Sequence, residues 1–192
     1  MKMAKQPKLS KGYLTDVMNG IIQNIALPIL NNKGFTPSPF VEEWYGKNNL
    51  RCYVYYLFRI NERSEMEYLY ITACRLNLRI DMVINVFQPI PRIESHNALE
   101  GHSIFPFILP PNSLSQMELG SEEYGRIPIF RIFQEDNLSI GVPKSENDLI
   151  QRKERLSKTI EQKCTNIDES FLRWHKRHSP SSVDWKGVPI AL

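Results

Sequence analysis

Between residues 76 and 86 apolar and polar positions alternate: Leu76, Leu78, Ile80, Met82, Ile84 and Val86 are interleaved with Asn77, Arg79, Asp81, Val83 and Asn85. A strand turns successive side chains to opposite faces, so a period of two predicts a strand with one dry face. Two more strands are predicted just before it. Residues 50–60 are aromatic and β-branched, with Cys52, Val54, Tyr56 and Phe58 on one face and Tyr53, Tyr55 and Leu57 on the other, so both faces call for cover. Residues 66–74 return across the polar turn Asn61, Glu62, Arg63 and Ser64. A break near Arg75 is required, because residues 66–87 are too long for one ordinary strand.

On either side of these strands the period changes to that of a helix. Leu14, Val17, Met18, Ile21, Ile22, Ile25, Ile29 and Leu30 form an apolar stripe, with Asn19, Gln23, Asn24 and Asn31 opposite it. Pro28 has no N–H to donate and predicts a kink or restart, while Gly34 places the end near Asn32. Residues 1–12 read as a loose basic arm. Toward the other end, Ser145 and Asp148 make a capping pattern ahead of the stripe Leu149, Leu156, Ile160 and Cys164. A shorter helix over residues 168–177 carries Phe171, Leu172 and Trp174. Short strands are expected at 41–45, 127–133 and 138–142, with a turn at 46–49 and a hairpin loop at 134–137. The proline-broken loop 88–112 contains Ile104, Phe105, Phe107, Ile108 and Leu109 and is expected to pack on the body. The tail, 183–192, keeps Trp185, Val188 and Ile190 for docking on the core or on a partner.

These elements predict an α+β fold: a mainly antiparallel sheet of about five or six strands against an N-terminal helix and C-terminal helices, in one domain over residues 1–192. The hydrophobic share of 42% with 23% charged residues is that of a globular chain, and a net charge of +3 does not mark a general nucleic-acid binder. Cys52, Cys74 and Cys164 are widely spaced and suggest neither a disulfide framework nor a metal motif. With no secretory leader pattern and no membrane-length apolar run, a reducing cytoplasm is the expected compartment.

Chemical signatures are sparse. There is no phosphate-binding glycine loop and no nucleophile elbow, and Cys52 and Cys74 fall where a strand needs small apolar side chains. His96 and His102 lie near Glu94 and Glu100 in the proline-rich loop, so a small hydrolase or a metal site is one reading, against ordinary loop solvation. No metal, cofactor or catalytic residue is assigned. His175 and His178 share a helix face, but their neighbours Arg173, Lys176 and Arg177 would repel a cation. Those charges, with Trp174 for stacking, make the nucleic-acid alternative, against cations that complement a helix C-terminus. Tyr53, Tyr55, Tyr68 and Tyr70 are expected on one tyrosine-rich sheet face, suited to recognition or to burial under helices. Trp44, Trp174 and Trp185 sit at element ends and are the partner-binding candidates.

The order of the first helix, then Leu30-Asn31-Asn32-Lys33-Gly34-Phe35, then Trp44 and a run of antiparallel strands, resembles small bacterial α+β domains of unknown function found among immunity and defence proteins. The resemblance covers the first half of the chain. It implies a non-catalytic module that binds another protein, and it carries no site residue with it.

Overall fold

The computed structural model describes residues 9–93, 96–119 and 138–190. Its centre is the meander β3 (Tyr53–Ile60), β4 (Met66–Cys74) and β5 (Arg79–Pro89), antiparallel throughout. Short strands line both outer edges. β1 (Thr36–Pro37) and β2 (Tyr45–Lys47) pair with β3, while β6 (Met117–Glu118) runs antiparallel and β7 (Ser181–Val183) parallel to β5. The sheet is therefore mainly antiparallel, with seven strands among the described residues.

Both faces of the sheet are dry. On one, Tyr55, Leu57, Leu69, Ile71, Ile80, Met82, Ile84 and Val86 are buried beneath α1 (Lys11–Ile21), α2 (Leu27–Asn32), α4 (Glu146–Thr165) and α5 (Ile167–His175). On the other, Phe58, Met66, Tyr68 and Phe87 are covered by loops and by the tail, through Phe40, Ile93, Leu99, Ile104, Phe107 and Val183. The proline-rich loop thus packs on the body through Ile104 and Phe107, folding into the short helix α3 (Phe105–Ile108) on the way, but Phe105 and Leu109, expected to pack with them, stay exposed. The tail docks too, since Val183 lies at the Pro89 position of β5.

Several expectations about boundaries and faces need correction. Ser10 caps α1 by accepting the Tyr13 N–H, so Lys11 and Gly12 belong to the helix rather than to a loose arm. Pro28 restarts the helix as α2. Ahead of it, residues Ile22–Ala26 form a π turn, which absorbs the register lost with the proline N–H. Residues 75–78 are a turn rather than the start of β5: Leu76 is exposed, and Leu78 reaches the core from a left-handed backbone at φ 54°. The edge strand expected at 41–45 is β2 at Tyr45–Lys47, with its turn at residues 48–51, and β1 at Thr36–Pro37 precedes it where an extended connection was expected. Leu172 is exposed, whereas Phe171 and Trp174 are buried.

Tyr53 and Tyr55 face the helices, but Tyr68 and Tyr70 stand on the other side of the sheet beside Tyr56, so the single tyrosine face splits in two. Asn19, assigned to the wet face of the first helix, is buried and accepts the Tyr55 hydroxyl at 2.6 Å. Of the predicted second hairpin, residues 127–133 and 134–137 lie outside the described residues. In 138–142, Leu138 and Ile140 are buried and Ser139 makes a single bridge to Arg79.

Candidate functional site

Two surface features stand out where the sheet, helices and loops meet. The first is a cleft of about 520 Å³ between the β3–β4 hairpin, the end of α2 and α5, lined by Lys33, Arg59, Asn61, Glu67, Asp168 and His175 among others. Arg59 is its hub. The guanidinium sits 4.6 Å above the Phe35 ring, binds Glu67 at 2.5 Å and Asp168 at 2.8 Å, and donates to the Lys33 carbonyl at 2.8 Å. Lys33 itself reaches Asp168 at 2.7 Å. Asn61 donates to both Glu65 and Glu67, and His175 Nε2 lies 3.5 Å from Glu65.

In this cleft burial raises the pKa of Asp168, but the bonds from Lys33 and Arg59 outweigh it and hold the carboxyl below its usual range. The charges thus answer one another, and the network ties the hairpin to two helices. Such an arrangement fixes geometry more than it offers an unmet charge to a ligand.

The second feature is an apolar surface on the loop layer. Phe105, Leu109, Leu114 and Val188 are each half or more exposed, with Leu114 at 79%. They come from α3, the turn at Asn112–Ser115 and the tail, three segments held together by one buried side chain. Asn112 Nδ2 donates to the main-chain carbonyls of Pro106 and Gly187, each at 2.8 Å, while the main-chain carbonyl of Asn112 accepts from Asn85 Nδ2 on β5 at 2.9 Å. Gly187 is required here: at φ 77°, any Cβ would stand 2.9 Å from Pro106 and Phe107. Large apolar side chains are therefore exposed on segments tied together by hydrogen bonds through Asn112.

Of the three tryptophans expected to serve a partner, Trp174 departs from that expectation, while Trp44 and Trp185 keep part of their surface exposed. Trp174 is fully buried, donating its indole N–H to the Ser115 carbonyl at 2.6 Å, so its ring is not available at the surface. Trp44 is half-buried against Tyr45 and Tyr55. Trp185 is half-buried with its N–H on the Pro91 carbonyl at 2.6 Å, in the same tail segment as Val188.

Arg173, Lys176 and Arg177 are exposed at the end of α5, but with Trp174 buried they lack the stacking ring of the nucleic-acid reading. Arg177 instead lies 4.0 Å from the Met117 sulfur, and His175 turns to Glu65. His102 is half-buried and bonded through its backbone to Leu99 and Val41, while Glu94 lies outside the described residues. Among the described residues no three His, Cys, Asp or Glu side chains are grouped to hold a metal ion.

Sequence reasoning missed Asn112, Asn85 and Gly187, because their partners are far along the chain and nothing local marks them. Of the exposed apolar residues, Phe105 and Leu109 belong to a loop expected to pack on the body and Val188 to the tail expected to dock on the core or on a partner, while nothing in the sequence marks Leu114. Compared with known proteins, the chain matches no family model, no curated protein and no solved structure at a significant level.

Proposed function

We propose that this chain is a non-catalytic protein-binding module whose contact surface is the apolar loop layer around Phe105, Leu109, Leu114 and Val188. The observation that carries the reading is the Asn112 staple, which spends a buried side chain's hydrogen bonds on fixing segments whose outward residues are apolar. Protein contacts concentrate their energy in a few large side chains on pre-organised backbone. Within this class the narrower proposal is a bacterial immunity or defence factor working in the cytoplasm, supported by the likeness of the N-terminal half. No described helix is long and apolar enough to cross a membrane.

The test is affinity capture from the native host with the wild-type chain and with the Phe105→Ser/Leu114→Ser variant. Both substituted positions are exposed, so the melting temperature should fall by no more than about 4 °C, since each surface change costs only about 0.5 kcal/mol. Loss of a central anchor should weaken the partner by roughly 2 kcal/mol, about thirty-fold. Equal capture by both proteins, or turnover of a substrate by the isolated chain, would remove the proposal.

A further inference from the structure

Cys52 and Cys74 stand side by side at one end of the sheet. They continue the β3–β4 register by one residue beyond the Tyr53↔Ala73 pair, and their sulfurs are 3.5 Å apart. The Cys52 backbone does not bond across to β4: its N–H goes to the Asn48 side chain and its carbonyl accepts the Asn48 N–H. This is the non-hydrogen-bonded kind of antiparallel position, where opposed Cα atoms approach to about 4.5 Å, inside the span that a disulfide bridges. The two thiols differ in access. Cys52 is buried, whereas Cys74 is half-buried beside the 75–78 turn, in which Leu76 and Asn77 are exposed. The Arg75 N–H points at Cys52 Sγ from 3.2 Å, a donor suited to a developing thiolate.

We infer that Cys52 and Cys74 form a dithiol that closes to an intramolecular disulfide by exchange with a low-molecular-weight disulfide such as oxidised glutathione. Cys74, as its thiolate, attacks one sulfur of the small disulfide. A mixed disulfide forms at Cys74 and the first small thiol leaves with a proton. Cys52 then gives up its proton and attacks Cys74 Sγ, the protein S–S bond forms, and the second small thiol leaves. Two protein thiols are oxidised by two electrons and one small disulfide is reduced to two thiols.

Access assigns the order: half-buried Cys74 makes the first attack and buried Cys52 the resolving step, and burial also raises the Cys52 pKa. Cys164 is a built-in control, since burial in the helix-covered core pushes its thiol up to about 12.

The experiment equilibrates the full chain in glutathione buffers of increasing oxidising power, blocks free thiols, and maps them by mass spectrometry after non-reducing digestion. The expected product is a peptide pair joined through Cys52 and Cys74, lighter by two hydrogens, with Cys164 free and no lasting glutathione adduct. Cys52→Ser should trap glutathione on Cys74, and Cys74→Ser should leave the protein unmodified. The wild-type result stands without the variants should either fail to fold. A glutathione adduct that persists on wild-type Cys74, a chain that stays fully reduced in the most oxidising buffer, or a bridge to Cys164 would each overturn the inference.

Discussion

The Tyr68 hydroxyl is buried on the loop-covered face and, among the described residues, has no hydrogen-bond partner. Burial holds its pKa well above the ordinary tyrosine value, with the neighbouring Tyr56 and Tyr70 adding to the effect. A buried hydroxyl without a partner keeps its desolvation cost and gains nothing in return, so Tyr68→Phe should stabilise the fold by about 1 kcal/mol. Chemical denaturation of both proteins measures this, and a less stable variant would show that the hydroxyl is bonded after all. Tyr55 is the contrasting case. Its hydroxyl meets buried Asn19, and Tyr55→Phe should cost on the order of 1 kcal/mol by leaving the Asn19 carbonyl unpaired.

At the level of the element, period carried the reading and contact did not. The three long strands and the long C-terminal helix were legible because a stripe such as Leu149, Leu156, Ile160 and Cys164 repeats often enough to fix a face, and all four are buried. The two- and three-residue edge strands carry no such repeat; β3 and β5 determine them by offering free edges. Asn19 and Asn85 look like surface residues because a sequence shows polarity but not a distant partner. The same limit hid the cleft, whose Lys33 and Asp168 are 135 positions apart.

Ile80→Asp would set an unpaired charge in the helix-covered core and should prevent folding, to be read as loss of the cooperative melting transition. Arg59→Leu keeps the bulk over Phe35 but strands Glu67 on β4, and should cost about 3 kcal/mol in urea unfolding. A cost near zero would mean that Asn61 alone satisfies Glu67.

For the whole molecule, the cleft network joins hairpin to helices, and its ionisation links folding to pH. The folded-state pKa of Asp168 is depressed because the Lys33 and Arg59 bonds outweigh burial. Its contribution is therefore complete above the unfolded carboxylate value of about 3.9 and is lost as pH falls through the lower folded value. Asp168 is 45% exposed at the side chain, so solvent screens the pair and the effect on stability is modest. Asp168→Asn removes the ionisable group while keeping its shape. At neutral pH the variant should melt below the wild type, and the gap should narrow as the buffer is acidified past the ordinary aspartate range, the two curves meeting where wild-type Asp168 is protonated. Melting temperatures measured at matched ionic strength from neutral to strongly acid buffer decide it. A gap that stays constant with pH would mean that the asparagine perturbs packing, and that the α5 link to Arg59 and Lys33 does not depend on charge.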